Sequence, residues 1–219
     1  TETNFTVSYH TEISLQVESA YATRGGNWNF SGRLFESDTG FQQGLEGREI
    51  SVLLGDSVVE IITTEEGGLF SLSHRVQYTI DRGSHNFSFL FEGEFLYLPA
   101  ESQIEVFALS DIVIEIQPIT NSIVRGDSSP SRSIMLQGLI REVGGDSAIF
   151  ANLSMSLSWG ETELPISTGP WSNPDTMNFQ IIAKAQEFMT PGDNLITIIV
   201  DSDQSIFLNG ASKEIEILV

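Results

Sequence analysis

Residues 50–56 read ISVLLGD and residues 155–161 read MSLSWGE, with an apolar residue at every second position of each strand-like run. A period of two places successive side chains on opposite faces of an extended chain, which is typical of a half-buried β-strand. The Gly-Asp and Gly-Glu pairs that close the two stretches are turn signals. The same strand-and-turn unit is therefore predicted twice in one chain.

The repeat extends outward from these stretches in both directions. Three further pairs of blocks correspond in the same order. RG at 24–25 and FSG at 30–32 match RG at 125–126 and LQG at 136–138. GSHNFSF at 83–89 matches GDNLITI at 192–198, and IEVF at 104–107 matches IEIL at 215–218. Blocks that recur in order at a slowly drifting offset indicate a duplicated domain. We predict two copies of one seven-stranded unit, residues 11–109 and residues 110–219.

The remainder of the chain alternates in the same way between turns rich in glycine and proline. Phe87, Phe89 and Phe91 share one face of a predicted strand, as a half-buried strand requires. Only residues 181–189 favour helix by composition, and the repeat together with the closing Pro191-Gly192 predicts a strand and a turn there instead. The chain is therefore predicted to be all-β, with two tandem β-sandwiches.

The first ten residues stand outside the two copies. Residues 5–7 and 11–17 align with residues 104–106 and 110–116, so residues 1–10 correspond to the closing strand of a preceding copy. Two interpretations stay open: the chain is a window on a longer array, or the segment is an extra strand that exchanges between molecules. We prefer the first, because each copy already has a complete set of strands.

The joint between the copies, residues 107–112, contains no glycine, no proline and no polar tract. Flexible linkers are rich in glycine and serine and are longer. The sequence therefore predicts a stiff joint and an extended rod.

The charge of the chain excludes several classes of partner. Thirty acidic residues against ten basic ones give a formal net charge of −20. Such a surface repels phosphate backbones and anionic lipids, so we expect no nucleic acid partner. No apolar run approaches the roughly 18 residues of a membrane span, so we expect no membrane insertion of this segment. The absence of cysteine excludes disulfides, thiolate metal sites and cysteine nucleophiles.

Three motifs carry a resemblance to a known family: FSG at 30–32, GLF at 68–70 and FEGEFLYLP at 91–99. With these motifs the chain resembles the immunoglobulin-like repeats of bacterial and archaeal surface proteins. The second copy departs from the last motif, because residues 200–209 lack the proline. The resemblance implies a cell-surface or extracellular location and a role as spacer, stalk, adhesin or lattice subunit, with neighbouring copies or other surface proteins as partners. It implies no catalytic residue, since a fold of this kind specifies a framework alone.

Residues with catalytic or metal-binding chemistry form no recognised pattern. His10, His74 and His85 show no ligand spacing, and the chain has neither a nucleophile elbow nor a phosphate-binding loop. We predict no enzyme activity and no obligatory cofactor. Acidic clusters in expected loops would suit a Ca²⁺ ion, which takes six to eight oxygen ligands, whereas a solvated acidic surface is the competing interpretation. These clusters are Glu65-Glu66, Glu142 with Asp146, and Asp201-Ser202-Asp203.

Two kinds of surface site are predicted. Trp171 stands between Pro170 and Pro174, which would hold its indole rigidly as a platform for a sugar or a partner protein; a lid over the end of the sandwich is the alternative. Asn-x-Ser/Thr occurs four times, and in each case the following residue has the inward phase, so the asparagine points outward. Asn4, Asn29, Asn86 and Asn152 are therefore candidate N-glycosylation sites.

These features together predict a structural segment of an extracellular surface protein. The alternative is a module that binds carbohydrate or protein, accessory to a larger secreted enzyme.

Overall fold

The computed structural model of the 219-residue chain describes residues 8–38, 42–118, 133–144, 154–164, 166–168, 178–184, 192–203, 205 and 207–218. The chain divides into two compact units, Thr1–Leu109 and Ser110–Val219. The described residues form strands and turns with no α-helix, and Glu66–Gly68 forms a single 3-10 turn. The prediction of an all-β chain is therefore confirmed.

The described part of the first unit contains eight strands: β1 (Thr11–Val17), β2 (Tyr21–Thr23), β3 (Asn27–Glu36), β4 (Glu49–Leu54), β5 (Ser57–Thr63), β6 (Leu69–Arg75), β7 (Gly83–Phe91) and β8 (Ala100–Leu109). One sheet has the order β1-β3-β6, and the other has the order β2-β8-β7-β4-β5. All pairs are antiparallel except β2 with β8, which is parallel. The sequence predicts seven strands in this unit and the structure describes eight; β2 has only three residues, which are too few to show a period.

The two sheets of the first unit enclose an aromatic core. Phe87 and Phe89 on β7 are fully buried, and Trp28 and Phe30 on β3 are 0% and 3% exposed. The Phe30 and Phe87 rings lie 4.8 Å apart at an interplanar angle of 49°, which is a favourable tilted arrangement. The inward phase predicted from the alternation is therefore the buried one. Burying each of these rings contributes roughly 1.5–3 kcal/mol to stability.

The glycines of the first two sequence motifs have a packing reason. Gly32 on β3 is the cross-strand partner of Phe70 on β6, and a Cβ atom at Gly32 would stand 2.2 Å from the Cζ atom of Phe70. The Phe70 ring therefore occupies the space that any larger residue at position 32 needs. Gly68 has a φ of +77°, and its Cβ would stand 2.1 Å from the carbonyl oxygen of Leu34. The glycines of the two motifs thus allow neighbouring chain segments to approach more closely than a larger residue would permit.

The second unit contains eight described strands: β9 (Ile112–Pro118), β10 (Ser133–Glu142), β11 (Met155–Trp159), β12 (Thr162–Glu163), β13 (Ile166–Thr168), β14 (Asn178–Lys184), β15 (Asp193–Val200) and β16 (Ala211–Leu218). Its sheets have the orders β13-β14-β10-β9 and β12-β11-β15-β16. Its core includes Leu136, Leu157, Ile196 and Ile198, all fully buried. Residues 181–184 lie in a strand, as the repeat predicted, and residues 185–189 lie outside the described residues.

The pairing in the two units repeats residue by residue at the first strand. Thr11 at the start of β1 pairs with Glu36 at the end of β3, and Ile112 at the start of β9 pairs with Glu142 at the end of β10. Both glutamates are buried, at 6% and 4% exposure. The pairing therefore sets Ile112 at the place of Thr11, so the sequence alignment of residues 11–17 with residues 110–116 was wrong by two residues.

Candidate functional surfaces

The predicted acidic clusters differ in their surroundings. Glu65 and Glu66 are exposed beside the 3-10 turn, whereas Glu142 is buried at the end of β10. Asp203 is engaged locally, because its Oδ1 atom accepts hydrogen bonds from the backbone N–H (2.9 Å) and hydroxyl (2.6 Å) of Ser205. Asp146 lies outside the described residues. Within the described ranges no group of three or more His, Asp or Glu side chains could hold a metal ion.

Two of the three histidines pack at the edge of the first core. The His74 ring stacks on Trp28 with centroids 6.4 Å apart and meets the Phe87 ring edge-on at 5.2 Å. Burial lowers the pKa of His74, and the nearby charge of Glu60 opposes that shift. The Nε2 atom of His85 lies 2.7 Å from the carbonyl oxygen of Asp81 and donates its proton to it. Both histidines therefore have structural roles in this core.

His10 forms a surface pair with Asp38. The backbone N–H of His10 donates to Oδ2 of Asp38 at 2.6 Å, and the His10 Nδ1 atom lies 2.9 Å from Oδ1. These two hydrogen bonds from His10 lower the pKa of Asp38. The pair fastens the start of the described chain to the segment that follows β3.

Two of the four predicted glycosylation sites lie among the described residues, and both point outward. Asn29 on β3 is exposed; its amide donates to Oε2 of Glu18 (2.9 Å), and its Oδ1 accepts from the Ser73 hydroxyl (2.8 Å). Asn86 on β7 is exposed opposite Glu105 on β8. The remaining candidates, Asn4 and Asn152, lie outside the described residues, as does Trp171.

An open groove adjoins Asn29. It has a volume of about 320 Å³ and is lined by Gln16, Val17, Glu18, Asn29, Phe30 and Ser31.

Strand β5 exposes apolar side chains that the sequence analysis did not single out. Val58 and Ile61 are each 59% exposed, and β5 pairs with β4 on one side only. A strand with one unpaired backbone edge is a template for another strand. The signal was present in the sequence as two apolar pairs, Val58-Val59 and Ile61-Ile62, separated by Glu60 and lacking the alternation of a half-buried strand.

The first unit pairs its second strand, β2, in parallel with its last strand, β8. The backbone N–H of Phe107 on β8 donates to the carbonyl of Ala20 (2.7 Å), and that of Arg24 donates to the carbonyl of Leu109 (2.8 Å). The rings of Tyr21 and Phe107 stack at 4.9 Å. This arrangement joins the two ends of the unit directly to each other.

The second unit has a parallel bridge of the same kind. The backbone N–H of Ser110 donates to the carbonyl of Phe207 (3.0 Å), and the N–H of Asn209 donates to the carbonyl of Ser110 (2.9 Å). Ser110 is fully buried. The first residue of the second unit, Ser110, is therefore hydrogen-bonded to the segment that leads into the last strand of that unit, β16.

No protein family and no curated protein sequence matches this chain. Solved structures of similar fold include an ICAM-5 ectodomain fragment (10% identity over 94% of this chain and 52% of that one, TM-score 0.48). Bovine butyrophilin is similar at 12% identity over 95% and 98% of the two chains, with a TM-score of 0.44. The Escherichia coli adhesin FdeC is similar at 11% identity over 94% and 63%, with a TM-score of 0.43.

This chain spans about half the length of the ICAM-5 fragment. At these identities the likeness concerns the fold alone. The sheet orders themselves show two β-sheets in each unit, which makes the described part of the chain a pair of β-sandwiches. Within its described part, no helix has the length and apolar character needed to cross a membrane.

Proposed function

We propose that this chain is a structural segment of an extracellular surface protein and that it carries mechanical tension between its two ends. The observation that carries the proposal is the parallel pairing of β2 with β8 in the first unit. Neighbouring copies or other surface proteins are the partners in this proposal, and no catalytic step is assigned to the chain.

Parallel pairing of β2 with the last strand, β8, matters because of the direction of the load. When the ends of such a unit are pulled apart, the hydrogen bonds between β2 and β8 lie across the direction of sliding and are loaded together. Bonds that are loaded together must break together, whereas bonds loaded from one side break one after another. The contacts of Phe107 with Ala20, and of Arg24 with Leu109, are therefore placed to resist tension.

The connection between the units adds support, because it contains no free residue. The carbonyl of Leu109 is bonded to Arg24 in the first unit, and the N–H of the next residue, Ser110, is bonded to Phe207 in the second. Tension that leaves one unit therefore enters the next without first stretching a linker.

Single-molecule force spectroscopy tests the proposal on the full chain. The chain has no cysteine, so introduced cysteines define where the handles attach. Handles at Thr1→Cys and Val219→Cys load both units through their ends. We expect two unfolding events, each releasing roughly 35 nm of chain, as about 100 residues at 3.6 Å each require.

The matched control moves one handle to Asp56→Cys, in the turn between β4 and β5. Loaded between Asp56 and Leu109, the first unit is pulled across its strands, and the bonds between β4 and β7 and between β7 and β8 open in succession. The second unit is still pulled through its ends and serves as the internal reference. We expect the first unit to unfold at a lower force than in the end-to-end geometry. Equal forces in the two geometries would refute the load-bearing role.

A further inference from the structure

One aromatic side chain of the first unit is presented to solvent by a hairpin that is itself fixed. Phe95 is 96% exposed, whereas the other exposed large apolar residues of the described chain range from 36% to 59%. A phenylalanine held in water contributes nothing to the core. Its position therefore calls for an explanation outside the folding of this unit.

The backbone conformation of Phe95 is also unfavourable for phenylalanine. Its φ is +50°, in the left-handed region that a bulky side chain rarely adopts. The N–H of Glu94 donates to the carbonyl of Tyr97 (3.0 Å) and the N–H of Tyr97 donates to the carbonyl of Glu94 (2.8 Å), so Phe95 and Leu96 are the central residues of a two-residue hairpin turn. A two-residue turn in which only the first central residue has a positive φ calls for glycine at that position. The conformation of the turn therefore disfavours phenylalanine at position 95, and a contact with a partner molecule would explain its presence there.

The hairpin is braced on both sides. The Arg48 Nη1 atom lies 2.6 Å from Oε2 of Glu94, and the Arg48 guanidinium lies 5.6 Å from the centre of the Tyr97 ring. Tyr9 bonds to the segment through Leu96 (2.7 Å) and Leu98 (3.0 Å). A side chain held on so rigid a support loses little conformational freedom when it binds.

The charge of the surroundings selects the partner. Glu92 and Glu94 precede Phe95, both are exposed, and the chain has a net charge of −20. A second copy of this chain would bring like charges together, and the groove in the first unit includes Glu18. Attraction therefore requires a partner surface with the opposite charge.

We propose that Phe95 is an anchor residue that inserts into an apolar pocket on a different protein, and that the rim of this pocket is basic. The braced hairpin holds Phe95 in position, the Phe95 ring is buried in the pocket of the partner, and the carboxylate of Glu92 is attracted to the basic rim of that pocket. Aromatic anchors in apolar pockets dominate the energetics of many protein interfaces. This inference is independent of the mechanical role, because force spectroscopy does not involve Phe95.

The first test uses a defined host with the chemistry of that pocket. An amino-substituted β-cyclodextrin has an apolar cavity and a rim of ammonium groups, and the unsubstituted and carboxylated forms are its controls. With 4-fluorophenylalanine at position 95 of the full chain, fluorine NMR reports on the ring directly. We expect the cationic host to bind about tenfold more tightly than the neutral host at low salt, with the difference shrinking as salt is raised.

Variants identify the residue responsible. In calorimetric titrations Phe95→Ala should abolish binding of the cationic host, whereas the control Leu69→Ala, at an exposed position on β6 (53% exposed), should retain it. Binding that survives in Phe95→Ala, or that is equal for the cationic and carboxylated hosts, would overturn the proposal.

Two further measurements separate this inference from its rivals. Phe95→Gly should unfold at the same temperature as the parent or a higher one, because glycine suits the first central position of this turn; a lower temperature would make Phe95 a structural residue and overturn the proposal. Sedimentation of the parent chain should show no association that depends on Phe95, and phosphatidylcholine vesicles should not bind it. Association lost in Phe95→Ala would assign the contact to a second copy, and vesicle binding lost in the same variant would assign it to lipid.

Discussion

The ring of Tyr9 lies 6.0 Å from the ring of Tyr97, and the two residues form a parallel backbone bridge. Tyr97 belongs to the braced hairpin that precedes β8. Tyr9 thereby occupies in the first unit the position that Ser110, bridged to Leu208, occupies in the second. The end of the segment that the sequence placed outside the first sandwich is therefore bonded to that sandwich.

This relationship predicts a sharp boundary in a truncation series. Deleting residues 1–8 removes none of the bonds of Tyr9 and His10 and should leave the midpoint of urea unfolding unchanged. Deleting residues 1–10 removes three backbone hydrogen bonds, to Leu96, Leu98 and Ser37, and should cost about 2–4 kcal/mol at the usual net value of each bond. Equal midpoints for the two truncations would contradict the assignment. Loss of filaments on deleting residues 1–8 would support strand exchange instead.

The contact between Gly32 and Phe70 predicts a packing defect. In Gly32→Ala the new methyl group would stand 2.2 Å from the Phe70 ring and 2.5 Å from the carbonyl oxygen of Ser14, so we expect a loss of about 1–3 kcal/mol. Gly55→Ala is the matched control, because position 55 has open space and a φ of +59°. It reports the cost of the backbone conformation alone, about 1–2 kcal/mol. A Gly32→Ala variant as stable as the parent would show that Phe70 moves aside freely.

His74 predicts a dependence of stability on pH. Burial lowers the pKa of His74 in the folded chain, so the unfolded chain, with an ordinary value of about 6.5, takes up the proton more readily. The free energy of unfolding should therefore be highest above about pH 6.5 and decrease as the pH falls below that value. His74→Phe keeps a ring beside Trp28 without a titrating group, and urea titrations from about pH 5 to pH 8 should show a smaller slope for it. An unchanged slope would exclude His74 as the cause.

The net charge of −20 predicts that salt stabilises the fold. Mutual repulsion of like charges destabilises a compact chain, and salt screens that repulsion within about 10 Å at 0.1 M. The melting temperature should therefore rise with NaCl concentration. A second comparison separates the two interpretations of the acidic clusters: if one of them binds Ca²⁺, millimolar CaCl₂ should raise the melting temperature more than NaCl of matched ionic strength, and a solvated acidic surface should give equal shifts. Equal shifts would exclude a specific site, and a falling melting temperature in NaCl would contradict the charge argument.

The sequence by itself determined the strand class, the duplication and the buried faces. Alternation with a period of two is a local property, because each residue points to the face opposite its neighbour whatever the distant chain does. Phe87 and Phe89 were therefore predictable as core residues, and Asn29 and Asn86 as outward-facing ones. The sequence shows Gly32 as part of a motif. Glycine is required there because the Phe70 ring lies against it, and that contact depends on the register between β3 and β6.

The tertiary structure alone decided which distant segments meet and where the alternation stops. The bridge between Tyr9 and Tyr97 joins residues separated by most of a unit, and no local pattern encodes that register. Phe95 continues the phase of Phe91, so alternation alone would place it in the core. Gly93, with a φ of +85°, and the turn at Phe95 reverse the chain between them and direct the ring into solvent. A period persists only while the backbone stays extended; the local hydrogen bonds between Glu94 and Tyr97 end it here, and the distant residue Tyr9 holds the turn through Leu96 and Leu98.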